Sequence, residues 1–81
     1  MKYSFPAVFK VDKENSKYIN VFFPDIPGAV TFGESMDEAR LMAKDCLIAM
    51  TEYVKETPAS KIAEIQKNFP DATVEMVEID L

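Results

Sequence analysis

The side chains that could carry out chemistry in this sequence are mostly carboxylates. The 81 residues include 14 Asp and Glu, one cysteine and no histidine. Carboxylates act as general acids and bases, or bind divalent cations, when several converge in one pocket. Glu34, Asp37, Glu38 and Asp45 instead fall at the start of a predicted helix and along its solvent side. We interpret them as capping and solvating groups, and we predict no catalytic residue and no cofactor.

Cys46 is the single cysteine. A cysteine nucleophile needs a neighbouring base, and the sequence offers no histidine for that role. Cys46 falls within an apolar stripe of helical spacing, where a thiol behaves as a small apolar side chain. Metal sites built on Cys and His are excluded by the same counts. The sequence therefore predicts an inert core thiol, no metal site and a protein that is not an enzyme.

The net charge of −5 is concentrated in the second part of the chain. Residues 1–33 carry four lysines and three acids, whereas residues 34–81 carry five basic and eleven acidic side chains. An acidic protein does not attract phosphate backbones, so direct DNA or RNA binding is disfavoured, despite Lys10, Lys13 and Lys17 near the first hairpin. Two interpretations of the acidic part remain open. It attracts a basic protein partner, or it only keeps a small protein in solution.

The length of 81 residues predicts one domain, residues 1–81. A domain of this size buries a thin core, which favours stabilisation by a homodimer or a higher homo-oligomer. The N-terminus lacks the apolar segment of a signal peptide, and no apolar run is long enough to span a bilayer. We therefore predict a cytoplasmic protein without membrane contact.

Alternating apolar residues predict the strands. Residues 2–11 and 18–23 alternate with period two and are joined by a short polar loop, which is typical of an antiparallel hairpin. The stretch "AVTF", residues 29–32, follows as a short third strand. The final segment, residues 72–81, is apolar first at even and then at odd positions, which indicates either a bulge near Met76 and Val77 or burial of the strand on both faces at that point.

The stretch 22–39, "FFPDIPGAVTFGESMDEA", holds the chain's only two glycines and two of its five prolines. A proline cannot donate to a strand ladder and so ends the second strand, and Pro-Gly suits the central positions of a type II turn. An S-x-x-E capping box then starts the helix, after a glycine that relaxes the backbone. The predicted turn and cap residues are Pro24, Pro27, Gly28, Gly33, Ser35 and Glu38.

Apolar residues at spacings of three and four predict a main helix from Met36 to Lys55. A second, shorter helix over residues 61–69 is predicted to be capped by Ser60. The order β-β-β-α-(α)-β predicts an α+β fold: a three-stranded antiparallel meander, a crossover helix and a fourth strand parallel to the first. Pro6 lies in that central first strand, so the last strand is expected either to pair only beyond Pro6 or to meet a bulge there.

Apolar side chains occur on both faces of the predicted strands, and one helix layer covers only one face. The other face is either an oligomer surface or lies beneath the second helix and the loops. The sequence favours neither alternative.

Two segments together resemble the HicB family of type II antitoxins: "YSFPAVF" at residues 3–9 and "VFFPDIPGAVTFGESMDEA" at residues 21–39. Family members typically show Tyr/Phe-Pro-Ala, then Phe-Pro-Asp-Leu-Pro-Gly-Cys, then a Gly–acid–Ser/Thr step into a helix with Glu-Ala. The positions that match are Phe23, Pro24, Asp25, Pro27, Gly28, Gly33, Glu38 and Ala39. The sequence departs from the pattern at Ala29, where Cys is usual, at Phe32, where a polar residue is common, and in a longer, more helical segment 55–72.

The resemblance implies a non-catalytic, partial RNase H-like domain that binds and occludes a small basic mRNA-cleaving toxin of the HicA-like type. We hypothesise that Asp25, Glu34 and Asp37 present charge to that toxin. Many members continue into a DNA-binding domain, whereas this chain stops at Leu81, so we predict no such domain and no direct DNA binding. The alternative is a stand-alone oligomeric adaptor or ligand-binding domain without a toxin.

Overall fold

The apolar–polar alternation of the sequence builds a four-stranded sheet in the computed structural model, which describes residues 1–81. The elements, in chain order, are β1 (Lys2–Val11), β2 (Ile19–Phe22), β3 (Val30–Gly33), α1 (Met36–Ala49), α2 (Thr51–Glu56), α3 (Ile62–Asn68) and β4 (Thr73–Asp80). The strand order is β3-β2-β1-β4. The predicted α+β class is confirmed.

The predicted orientation of the last strand is wrong. β4 pairs with β1 antiparallel and in continuous register, from Lys2 opposite Asp80 to Phe9 opposite Thr73. Between β3 and β4 the chain runs the length of the sheet twice, first along α1 and then back through α2 and α3. β4 therefore starts at the end of the sheet where β1 finishes, and it runs antiparallel to β1. The predicted partial RNase H-like arrangement has β1 and β4 parallel, whereas the structure pairs these two strands antiparallel.

Pro6 is accommodated in β1 without a bulge. It lies opposite Met76 of β4 in an unbroken register, so neither of the two predicted solutions is found. β2 pairs with β1 only from Val8 to Val11. Pro6 therefore has a neighbouring strand on one side only, and its missing N–H costs no hydrogen bond where no second strand is present.

The main core lies between one face of the sheet and α1. Odd-numbered residues of β1 point towards small residues of the helix, Ala39 and Ala43, and towards Leu47. Because alanines let the helix approach closely, aromatic side chains from the sheet fill the space beneath it. The core comprises Phe5, Ala7, Phe9, Val21, Phe23, Ile26, Ala29, Ala39, Ala43, Leu47, Val54, Val77 and Ile79.

The predicted single helix to Lys55 is interrupted at Met50. Met50 departs from helical geometry, and its N–H donates to the carbonyl oxygens of Cys46 and Leu47 at 3.2 and 3.0 Å. The Thr51 hydroxyl donates to the Ile48 carbonyl oxygen. Such side-chain bonds to the preceding turn disturb helices, and α2 starts as a separate helix at Thr51.

A second, smaller core lies on the opposite face of the sheet, where Ile65 of α3 packs against Val8 and Val74. This core explains the change of phase in β4: Val74 faces α3, whereas Val77 and Ile79 face α1. The predicted bulge is wrong, because the register with β1 is continuous. Burial on both faces at Met76 and Val77 is not found either, because Met76 is 43% exposed; the buried face instead changes along the strand. Among the strands, α3 packs mainly against β1 and β4, and Phe69 at its end contacts Phe22 of β2 edge-on, with 5.3 Å between ring centroids. The part of this face formed by β3 stays uncovered, with Val30 and Phe32 exposed.

Candidate protein-binding surface

The turn that leads into β3 is fixed by the backbone. The Ala29 N–H donates to the Ile26 carbonyl oxygen at 3.1 Å, with Pro27 and Gly28 between them. Gly28 has a φ of 89°, the value that the third position of a type II turn requires. Ile26 beneath the turn is buried, so the turn is anchored in the main core.

The start of α1 is capped by side chains on either side of Ser35. The Ser35 hydroxyl oxygen accepts from the Glu38 N–H at 3.1 Å, and the Glu38 carboxylate accepts from the Glu34 N–H at 2.9 Å. The carboxylate therefore reaches one residue further back than in the usual capping box. This arrangement sets the position of the two neighbouring acids, Glu34 and Asp37.

Asp25 holds the turn against a distant segment. Its carboxylate accepts from the Ser60 N–H at 2.7 Å and from the Ser60 hydroxyl at 2.6 Å. The predicted capping role of Ser60 is wrong, because α3 begins after Lys61 and has no side-chain cap. Asp25 thus ties the β2–β3 connection to the linker between α2 and α3.

Replacing Asp25 by alanine is expected to lower the free energy of unfolding by about 2 kcal/mol, since two hydrogen bonds to a charged group are lost. Urea denaturation of the two proteins measures this difference. Asp45→Ala, at an exposed position on α1, is the matched control and should change stability by less than about 0.5 kcal/mol. Equal stability of the Asp25 variant and the wild type would contradict the structural role.

Glu34 and Asp37, the other two acids predicted to meet a partner, lie at the start of α1. Glu34 Oε1 is 3.3 Å from Lys17 Nζ, and Asp37 Oδ1 is 3.2 Å from Arg40 Nη1. Both ion pairs are exposed, and such pairs contribute little to stability. These two carboxylates can exchange their present partners for another protein's cations, whereas both oxygens of Asp25 are used by Ser60.

The outward side of α1 carries a row that includes two apolar residues for which the sequence predicted no role. Leu41 and Ile48 are 61% and 50% exposed, seven positions apart on the side opposite the core. Asp37 and Asp45 occupy the alternate positions of the same row. We call these four residues, Asp37, Leu41, Asp45 and Ile48, the α1 outer stripe. The sequence does contain the sign of this row, because Leu41 and Ile48 are apolar but do not follow the spacing of the core-facing residues Ala39, Ala43 and Leu47.

Arg40 connects the flank of α1 to β4. Its Nε and Nη2 atoms donate to the two carboxylate oxygens of Glu75, each at 2.9 Å. Hydrogen bonding to Arg40 lowers the pKa of Glu75, and the same contact raises the pKa of Arg40. The paired geometry holds the helix in one orientation on the sheet.

The Arg40–Glu75 pair predicts a pH dependence of stability. Because the pKa of Glu75 is lowered in the folded state, the pair stabilises the fold above the ordinary value of 4.5 and is lost as the pH falls through the lowered pKa. The wild type should therefore melt at a higher temperature than Glu75→Gln near neutral pH, and the difference should vanish in acid. Thermal melts across this pH range test the prediction.

Glu78→Gln is the matched control for that experiment. Glu78 lies on the same strand, is exposed and forms no ion pair. Its substitution should leave the fall of the melting temperature in acid the same as in the wild type. A Glu75→Gln curve parallel to that of the wild type at every pH would contradict the linkage.

The ionisable and nucleophilic side chains do not assemble into a reaction centre. No three His, Cys, Asp or Glu side chains are grouped so that they could hold a metal ion. Cys46 is half-buried rather than fully buried, and burial raises the pKa of its thiol. None of the helices has the length and apolar character needed to cross a membrane. The distinctive surface features are exposed acids and apolar side chains, which suit protein binding.

The fold is that of bacterial antitoxin domains. The chain superposes on the N-terminal domain of the Burkholderia pseudomallei antitoxin HicB with a TM-score of 0.78 and 24% identity, over 96% of this chain and 99% of that one. A crystal structure of the antitoxin HicB of the same organism gives a TM-score of 0.79 and 24% identity, with 96% of this chain and 64% of that one covered. A toxin–antitoxin complex from Streptococcus pneumoniae gives 0.75 and 23%, with coverage of 99% and 70%.

At the sequence level, residues 4–74 match the HicB_like antitoxin family of bacterial toxin–antitoxin systems. The chain belongs to this HicB-like family, as its resemblance predicted. It is also 35% identical over 78 residues to an uncharacterised 14.9 kDa protein from the rep-hol intergenic region of Haemophilus phage HP1, covering 88% of this chain. The chain spans 58% of the length of that phage protein.

Proposed function

We propose that this protein is an antitoxin that binds a small, basic, mRNA-cleaving toxin of the HicA-like type and occludes it. Membership of the HicB-like family supports the antitoxin role, and the similarity to a chain of a toxin–antitoxin complex supports a toxin as partner. The observation that carries the proposal to particular residues is the α1 outer stripe.

The stripe combines two properties that a basic partner would use. Leu41 and Ile48 offer apolar anchors that lose water on contact, and such central anchors supply most of the energy of an interface. Asp37 and Asp45 lie beside the anchors and attract cations, which speeds and orients the encounter. Glu34, at the start of the helix, extends the acidic surface towards Lys17.

The mode of action we propose is coverage of the toxin and not conversion of a substrate. α1 is fixed to the sheet by its buried alanines and by the Arg40–Glu75 pair, so its outer stripe is preformed. A preformed surface loses little conformational entropy on binding. We place this activity in the cytoplasm, where mRNA is cleaved, without DNA binding by this chain, and we propose that the protein acts as a homodimer or a higher homo-oligomer.

Co-expression tests the proposal. The probe is a small basic protein encoded by a reading frame next to that of this chain, tagged and expressed with or without this chain. We expect growth arrest in its absence, and in its presence normal growth and a complex that survives gel filtration. A toxin that elutes alone and still arrests growth would reject the antitoxin role and favour a stand-alone adaptor.

A further inference from the structure

The sheet has two free edges, and they differ in composition. β4, at one edge, carries Glu75, Glu78 and Asp80, and charged side chains on an edge strand discourage pairing with other chains. β3, at the other edge, reads Val-Thr-Phe-Gly and has neither charge nor proline. We propose that β3 pairs with β3 of a second copy, so that two sheets join into one across a two-fold axis. The inference deepens the proposed self-association and does not depend on the toxin.

The backbone of β3 is oriented for this pairing. The Phe23 N–H donates to the Ala29 carbonyl oxygen at 3.1 Å, which fixes the alternation of the β2–β3 ladder. Counting along the register, Thr31 and Gly33 bond to β2, whereas Val30 and Phe32 direct their N–H and C=O groups outwards. The Val30 N–H is used locally by the Gly28 carbonyl oxygen at 3.1 Å. The amide and carbonyl of Phe32 remain open to a neighbouring strand.

The side chains beside this edge are apolar and uncovered. Val30 is 66% exposed and Phe32 is 55% exposed, on the β3 part of the face that α3 leaves open. The Phe32 ring contacts Tyr18 edge-on, with 5.4 Å between ring centroids. Val30 and Phe32, together with Phe22 of β2, line a shallow groove of about 460 Å³. An edge strand of this kind, flanked by apolar side chains, is suited to association.

The sequence of β3 is complementary to itself in antiparallel register. A two-fold axis at Thr31 places Val30 opposite Phe32 of the second copy, and Thr31 opposite Thr31 of the second copy. Each Phe32 N–H then donates to the Val30 carbonyl oxygen of the other copy, while the Val30 N–H keeps its bond to Gly28. Aromatic with β-branched pairs and threonine pairs are among the favourable cross-strand contacts. The same register places Glu34 opposite Gly28, which has no side chain, so no like charges meet.

Charge identifies a second copy as the occupant. Two chains that each carry a net charge of −5 repel one another over most of their surfaces, and they can approach most easily at an uncharged strand. A basic partner gains no electrostatic attraction from β3, and gains it instead from the acidic α1 outer stripe. The two surfaces therefore serve two different partners.

Sedimentation equilibrium over a range of concentrations tests the pairing. We expect the wild type to be a dimer at micromolar concentration, and Phe32→Lys to raise the dimer dissociation constant at least about 30-fold, as for loss of a central anchor. The matched control is Met76→Lys, at an exposed apolar residue of the charged edge strand, which should dimerise as the wild type does. A monomeric wild type, or equal dimerisation of Phe32→Lys, would overturn the proposal.

Cross-linking tests the register in a protein that keeps the apolar edge. Facing Thr31 residues would form a non-hydrogen-bonded pair with Cα atoms about 4.5 Å apart, within the range of a disulfide. In a Cys46→Ser background, Thr31→Cys should give a covalent dimer on oxidation, and Glu78→Cys on β4 should not. Absence of the Thr31 dimer, or equal dimer from both variants, would overturn the register. Neither experiment changes a residue of the α1 outer stripe. The β3 pairing and the toxin binding can therefore be disproved independently of one another.

Discussion

Replacing Gly33 by alanine is expected to lower the free energy of unfolding by about 3 kcal/mol. A Cβ atom at this position would lie 2.5 Å from the Ala39 backbone nitrogen and 2.8 Å from its Cα. These are backbone atoms of the first turn of α1, so the clash cannot be relieved by rotating a side chain. Relief requires moving the helix away from β3, which opens the main core. Urea denaturation of the variant measures the loss.

The second glycine provides the control for this prediction. A Cβ at Gly28 would meet nothing within 4 Å, and only the φ of 89° opposes a side chain there. Gly28→Ala should therefore cost about 1 kcal/mol, the penalty of left-handed backbone geometry. If the Gly33 variant lost no more stability than the Gly28 variant, the close approach of β3 and α1 would not be the reason for glycine at position 33.

The double substitution Leu41→Lys and Ile48→Lys is expected to weaken toxin binding at least about 100-fold. Each change removes an apolar anchor and places a cation against a basic partner, and the loss of one central anchor costs about 2 kcal/mol or more. Both side chains are half or more exposed, so the fold should keep its stability. Calorimetric titration with the toxin measures the affinity, and a thermal melt confirms the fold.

Ile62→Lys is the matched control for the stripe. Ile62 is an exposed apolar residue on α3, away from the stripe, and its substitution introduces a lysine as each of the two stripe substitutions does. It should bind the toxin with an affinity close to that of the wild type. Equal affinities for the stripe variant and the control would show that the toxin contacts another surface.

The local features of the fold could be predicted because they depend on neighbouring residues. Period-two alternation gives β1 its buried face, including Phe5 and Phe9, whatever the strand pairs with. The Pro27-Gly28 dipeptide specifies its own turn, and Ser35 caps a helix from within three residues. Such signals need no knowledge of the tertiary structure.

The features that could not be predicted depend on segments far apart in the chain. The direction of β4 is decided by how α2 and α3 carry the chain back across the sheet, and no local pattern records that path. Asp25 and Ser60 are 35 residues apart, and the sequence predicts a helix cap for Ser60 and a partner contact for Asp25 rather than the bond between them. The exposure of Leu41 was missed because an apolar helical residue is more often buried.

The residues that stabilise the core differ from the residues proposed to bind a partner. Of the charged side chains, none is buried. The core is built from apolar residues of both sheet faces, and the exposed acids outside the Arg40–Glu75 pair and the Glu38 cap, such as Asp37 and Asp45, set the surface potential. A domain of this kind can change its partner by surface substitutions without losing its fold.

A cleavage assay with purified components tests the central claim most directly. Labelled mRNA is incubated with the toxin while this protein is added in increasing amounts. The account predicts that cleavage falls to background when the two proteins reach stoichiometric equivalence, and that this protein alone leaves the RNA intact. Full toxin activity at saturating amounts of this protein, or cleavage of the RNA by this protein itself, would contradict it.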